Sequence, residues 1–132
     1  MRVMLKVNST EREQFIDIGR HIGAIISDEG WKNGAVHIFC RHTTCGLTIN
    51  ESGDPAVRRD LLNFFNGIAP RSDIWEHVEG NSDAHIRSSL LGVSLLVPVA
   101  DGHLCLGRWQ AIYLYEGDGP RQRMILVQFL SA

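Results

Sequence analysis

Alternating apolar residues open and close the chain, with helical spacing confined to the stretches between, and this order restricts the fold more than any other feature. Val3, Leu5 and Val7 alternate with polar residues as a half-buried strand does, and Phe15, Ile16 and Ile18 form a second short run. A tight loop over Asn8 to Glu11 is expected to join them. From Gly19 the period changes: Ile22, Ile25 and Ile26 fall on helical spacing, and Gly30 with Asn33-Gly34 supplies a stop and a turn. The run from Ala35 has strand character and delivers His42 at its end. Asp54 before Pro55 predicts an N-cap with a first-turn proline, and Val57, Leu61, Leu62, Phe65 and Ile68 make the apolar face of the helix that follows. After a polar loop from Pro70 to Gly80, Asp83 is expected to cap a short helix over Ala84 to Leu91, with Gly92 beyond its end. The rest reads as β: Val93 to Val99, a turn at Asp101-Gly102, Leu104 to Leu106, Trp109 to Glu116, a turn at Gly117 to Pro120, and Met124 to Leu130. Consecutive hairpins predict an antiparallel sheet. Strands at both ends with helices between predict one α+β domain over residues 1–132, a mainly antiparallel β-sheet sandwich with helices packed on one face.

A chain of 132 residues, 44% apolar and 21% charged, is long enough to bury a core without a staple. The formal net charge of -2 speaks against a nucleic-acid module, which relies on clustered surplus Lys and Arg; here basic residues are scattered apart from Arg121 and Arg123. Cys40, Cys45 and Cys105 are odd in number and lack Cys-x-x-Cys spacing, so reduced, mostly buried thiols are expected in place of a disulfide framework or thiolate zinc site. No run has the length of a membrane span, and the N-terminus has no leader pattern, which leaves the cytoplasm as the expected location.

The segment from His77 to Gly92 carries the chemistry. It holds two histidines, three acids or amides (Glu79, Asn81, Asp83) and the adjacent Ser88 and Ser89 around the start of a short helix, where a segment meant only to fold would show an apolar period. That composition predicts a site for an anionic small molecule. His42, His77 and His85 sit among polar or small residues near element boundaries, whereas His21, His37 and His103 read as surface or hydrogen-bonded structural residues. His77 and His85 are eight apart, too far for a helical zinc pair, and must come from a loop and a helix. With His42 they make a possible three-histidine metal site with an open position. Glu51, after Asn50, reads as a general base, an orienter of a ligand histidine or a solvated charge. Ser88, Ser89 and the first-turn amides of the helix are potential anion donors, and Arg121 and Arg123 put two guanidiniums beside a stiff Gly-Pro turn.

Four ordered motifs, His42-Thr-Thr with Leu47-Thr-Ile-Asn-Glu, Glu79-Gly-Asn-Ser-Asp-Ala-His-Ile-Arg-Ser-Ser-Leu-Leu-Gly, Leu106-Gly-Arg-Trp-Gln, and Glu116-Gly-Asp-Gly-Pro-Arg-Gln-Arg, resemble the YjbQ-like family, called secondary thiamine-phosphate synthase enzymes, over nearly the whole chain. Cys45-Gly46 stands where two alanines are frequent in that pattern, and Arg108 where a threonine usually precedes Trp-Gln. The resemblance implies a compact α+β sandwich assembling as a homotrimer, with sites near subunit boundaries, His42, His77 and His85 in the pocket, and Glu51 and Asn50 nearby. It implies a transferase that joins a pyrimidine methyl diphosphate to a thiazole phosphate with loss of pyrophosphate. In that reaction a divalent metal (Zn or Mg), Ser88, Ser89, Arg121 and Arg123 would stabilise the leaving group, and His85 would be proton donor or metal ligand. Clustered imidazoles favour Zn²⁺ over Mg²⁺, which suits a different principal reaction. A zinc-dependent hydrolase with Glu51 as base and a non-catalytic trimer binding a phosphorylated metabolite are the other readings. Neither a dinucleotide loop nor a phosphate-loop lysine motif is present.

Overall fold

The structure, a computed structural model, describes residues 1–132. The elements run β1 (Arg2–Asn8), β2 (Gln14–Asp17), α1 (Gly19–Glu29), β3 (Gly34–Cys40), β4 (Cys45–Glu51), α2 (Pro55–Ile68), α3 (Ser82–Leu91), β5 (Ser94–Ala100), β6 (His103–Leu104), β7 (Gln110–Glu116) and β8 (Gln122–Ser131). They form two antiparallel sheets, one ordered β1-β8-β3-β5-β6 and one ordered β2-β7-β4. The α+β class and the antiparallel sheets are as the sequence predicts.

The apolar core lies between the sheets. Val36, Ile38, Val97, Val99, Ile125 and Val127 of the larger sheet meet Leu47, Ile112 and Leu114 of the smaller one, and α1 adds Ile22 and Ile26. Gly30 closes α1 in the left-handed conformation at φ 68°, the ordinary use of glycine after a helix. The smaller sheet is also covered on its other side: Tyr113 and Tyr115, which alternate with Ile112 and Leu114, meet Arg58 and Phe65 of α2 and Arg87 of α3. This explains the nearly unbroken burial of β7, because a strand covered on both faces has no polar side to show.

Two expected connections differ. Asn8 to Glu11 does not close a hairpin, since β1 pairs with β8 in the larger sheet and β2 with β7 in the smaller. The turn at Gly117 to Pro120, with a cis Gly119–Pro120 peptide, likewise carries the chain from one sheet to the other, so β7 and β8 are not hairpin partners. Alternation fixes which residues face inward but not which strand lies alongside; β7, apolar on both faces, belongs in the middle layer. α2 begins as predicted, with the Asp54 carboxylate accepting from the Ala56 amide at 2.9 Å. Its apolar face is less covered than the pattern suggests: Phe65 is buried, whereas Phe64 is 61% and Ile68 50% exposed. α3 starts at Ser82 after Asn81, and Asp83 is no cap, because its carboxylate is engaged by both η nitrogens of Arg12 at 3.0 and 3.1 Å.

Candidate functional site

Three pieces of chain meet at one end of the sandwich: the loop Arg41–Thr44 between β3 and β4, the start of α3, and the strand residues around the β7–β8 turn. The loop is gripped from β8. The Met124 amide donates to Nε2 of His42 at 2.9 Å, and an η nitrogen of Arg123 donates to the Thr44 hydroxyl at 2.7 Å. An acceptor Nε2 leaves the ring proton on Nδ1. Burial holds the His42 pKa below its ordinary value, and the charges of Arg123 and Arg121 act in the same direction against Glu116.

Arg123 is itself buried, 2% exposed, in an ion pair with the fully buried Glu116. Its Nε donates to one Glu116 oxygen at 2.9 Å and an η nitrogen donates to the other. Ser9 Oγ at 2.8 Å and the Asp118 amide at 3.0 Å complete the carboxylate's partners. Burial raises the Glu116 pKa, but the donors outweigh it and hold the carboxyl below its usual range. Gly117 sits where all three pieces converge. Its amide donates to the Thr44 carbonyl at 3.0 Å, and a Cβ there would lie 2.8 Å from that oxygen and 3.0 Å from the Ala84 Cβ.

α3 is seated through polar groups. Arg87, with no exposed surface, donates to the Ala69 carbonyl, to Tyr115 Oη at 2.9 Å and to Asn66 Oδ1 at 3.0 Å, and pairs with Glu13 at 3.0 Å. Ser88 Oγ donates to the Cys45 carbonyl at 2.6 Å. Asn81 Nδ2 donates to Asp118 Oδ2 at 2.8 Å, tying the start of α3 to the turn, and Arg121 reaches the same oxygen at 3.0 Å.

Between these pieces lies a cleft of about 290 Å³ whose nine lining residues include no apolar one. Arg41, Arg121 and Arg123 supply cations, Thr43 and Thr44 hydroxyls, His42 and His85 imidazoles, and Glu79 and Asn81 close the rim. Arg123 is neutralised by Glu116 and Arg121 is shared with Asp118, whereas Arg41 is exposed and its guanidinium has no partner in the chain. His85 also lines the two adjoining hollows, one with Ser88 and Ser89 and one with Trp75 and His77. The His77 and His85 rings stand edge to face with centroids 5.2 Å apart.

The structure thus brings His42, His85, Arg121 and Arg123 together and leaves His77 one hollow away, against His85. It does not bring in Glu51 and Asn50. Cys45, at the site end of β4, lies opposite Glu116, whereas Glu51 lies opposite Gln110, about 20 Å along the strand. Nor are the serine hydroxyl protons free: Ser88 serves Cys45, and Ser89 donates to the His85 carbonyl at 3.0 Å. No three His, Cys, Asp or Glu side chains in the chain are arranged to hold a metal ion. His42 already uses Nε2 on Met124, so the three histidines do not fit a ligand set within one chain. Sequence reasoning missed Arg41, and it met Asn81 only as a polar member of the His77–Gly92 segment and Thr44 and Glu116 only as parts of motifs. Glu116 left one further trace, as an acid seven residues from Arg123 across the turn.

Cys40 and Cys45, buried as expected, bracket the loop with their sulfurs 3.0 Å apart, whereas Cys105 is exposed. The Cys45 thiol hydrogen-bonds Cys40 and lowers its pKa to about 7 against the opposing effect of burial, while the same contact and burial push Cys45 up.

Fold and site together define an antiparallel α+β sandwich with an arginine- and histidine-bearing cleft at a loop–helix junction. The chain belongs to the UPF0047 protein YjbQ-like family, whose model matches residues 3–132. It is 42% identical over 128 residues to UPF0047 protein YugU of Bacillus subtilis, covering 96% of this chain and 97% of that one. Identity is also 42%, over 126 residues, to UPF0047 protein MJ1081 of Methanocaldococcus jannaschii, covering 96% and 91% of the two chains. A yjbq/upf0047 family crystal structure from Clostridium acetobutylicum superposes with a TM-score of 0.93 at 41% identity, covering 97% of this chain and 99% of that one. The conserved hypothetical protein TT1486 of Thermus thermophilus gives 0.90 at 46% identity, with coverage of 97% and 99%. No helix is long and apolar enough to cross a membrane.

Proposed function

We propose that the cleft binds a small phosphorylated metabolite and that His85 exchanges a proton with it. The observation that carries this reading is the pairing of an unpartnered Arg41 guanidinium with an imidazole whose ring nitrogens have no hydrogen-bond partner, in a cleft without apolar lining. A guanidinium presents a fork of N–H donors that matches phosphate oxygens, and Thr43 adds a hydroxyl. His42, held neutral with its proton on Nδ1, is suited to donate a hydrogen bond to a phosphoryl oxygen or a leaving oxygen and not to take up a proton.

The finer reading is a transferase of the thiamine-phosphate synthase type, releasing pyrophosphate. Arg41 and Arg121 support it, as two cations able to meet a diphosphate leaving group at the same mouth. Association of copies is supported by exposed apolar side chains, among them Phe64, Ile74, Val78, Leu90 and Leu96, and the resemblance implies that the copies number three. Such assembly would be the way for the remote Glu51 of one copy to approach the cleft of another.

Calorimetric titration of the purified protein with inorganic pyrophosphate tests the binding claim. Wild type is expected to bind, and Arg41→Ala to bind at least about tenfold more weakly, the equivalent of one charged hydrogen bond. Equal affinity of the two proteins, or no binding by wild type, would sink the reading. Incubation with the pyrimidine diphosphate and the thiazole phosphate, read as pyrophosphate release, tests the finer one.

A further inference from the structure

We propose that Cys40 and Cys45 form a reversible dithiol–disulfide pair, a modification site that resets the cleft loop; its regulatory half rests on the anion-binding reading above. The two residues frame Arg41–Thr44, Cys40 as the last residue of β3 and Cys45 as the first of β4. Their sulfurs face one another at 3.0 Å. A disulfide has its sulfurs about 2.05 Å apart, so closure asks for roughly 1 Å of approach. The loop has little slack for that movement, because Thr44 hangs on Arg123 at 2.7 Å and His42 on Met124 at 2.9 Å. Hydrogen bonds of that length weaken within a few tenths of an ångström, so drawing the ends of the loop together displaces His42 and Thr44 from their grips.

The oxidant must be small, since Cys40 is 2% and Cys45 0% exposed, and hydrogen peroxide meets that requirement. The Cys40 thiolate attacks one peroxide oxygen, the O–O bond breaks and hydroxide leaves, giving a sulfenic acid on Cys40, and the proton that Cys40 released joins that hydroxide as the first water. The Cys45 sulfur then attacks the Cys40 sulfur, the S–O bond breaks, and the departing hydroxide with the Cys45 proton makes water. Two thiols and one peroxide become one disulfide and two waters; the sulfurs are oxidised and the peroxide is reduced.

The test uses the full chain carrying Cys105→Ser, which removes the exposed thiol and any link between copies. The protein is treated with graded hydrogen peroxide, unfolded in an alkylating reagent and weighed intact, with peptide mapping to locate the bond. The expected product has lost two hydrogens, carries no alkyl groups, maps to a Cys40–Cys45 link and returns to two alkylatable thiols with dithiothreitol. Adding Cys45→Ser should convert the outcome to oxygen addition on Cys40. Pyrophosphate affinity of the oxidised form should fall by about tenfold, the scale of one lost hydrogen bond. Recovery of both thiols as alkylated groups, at peroxide sufficient to oxidise Cys105 in the wild type, would overturn the bond. Bond formation with unchanged affinity would overturn the regulation. If the reduced protein fails to bind pyrophosphate, the cleft reading and its regulation fall together, while the mass change still decides whether the bond forms.

Discussion

The amide of Met124 donates to Nε2 of His42 across 2.9 Å, and this bond leaves Nδ1–H as the polar group the ring can offer a ligand. Nitrogen-resolved NMR of imidazole resonances should therefore show His42 as a neutral Nδ1–H tautomer at neutral pH. A His42 ring protonated at Nε2 at that pH would contradict the arrangement. Because burial and the nearby guanidiniums lower its pKa from 6.5, the unfolded chain takes up a proton here before the folded one does. The stability supplied by neutral His42 is present above about pH 6.5 and is lost as pH falls through its lower folded value.

The same sign governs the carboxylates at lower pH. Burial raises Asp83 and Glu116, yet Arg12 and Arg123 with their hydrogen bonds bring both below their ordinary values of 3.8 and 4.5. Stability from these pairs is complete above those values and disappears as pH falls through the depressed folded ones. Denaturant melts from pH 6 to pH 3 should show a steeper loss for wild type than for Glu116→Gln, which has already lost that proton-linked contribution.

Glu116→Gln also removes the partner of a buried cation. About 3–5 kcal/mol of stability should go, the usual result of leaving one half of a buried pair alone. The double variant Glu116→Leu with Arg123→Met should recover part of it, measured by urea unfolding. Equal stability of single variant and wild type would mean that Arg123 finds water instead.

Gly117→Ala places a methyl group against the Thr44 carbonyl and the Ala84 Cβ. Overpacking of this kind costs about 1–3 kcal/mol, and here it would separate the cleft loop from α3. Thermal melts should show the loss, and pyrophosphate affinity should fall along with it.

Glu51→Ala and prolonged chelation should both leave pyrophosphate binding intact, because Glu51 lies at the far end of β4 and the chain gathers no three metal ligands. Loss of binding on chelation would point to an ion held between copies of the chain. Tighter binding in Glu51→Ala would point to a neighbouring copy's carboxylate in the cleft, where it repels the anion.

Local grammar was legible wherever one residue type settles a local conformation. Asp54-Pro55 opens α2, Gly30 ends α1, and the alternation of Val3, Leu5 and Val7 marks the inner face of β1. Strand partners were not legible, since the turn after Glu116 looks the same whether it folds back or crosses between sheets. At the site, the histidine motifs pointed to His42 and His85, which the fold does unite. Spacing could not reveal that Ser88 is consumed by the Cys45 carbonyl, or that Arg123 is held by Glu116 and so positions Thr44 instead of facing a ligand alone. Those facts depend on partners distant along the chain.

α3 rests on Arg87, Asp83 and Ser88 where most helices rest on hydrocarbon. Lifting it away would wet mainly polar surface, which adds little to the step in heat capacity between the folded and opened baselines. Opening of the helix bearing His85 would thus leave a small baseline signature, and deuterium uptake along its amides would be the sign of it.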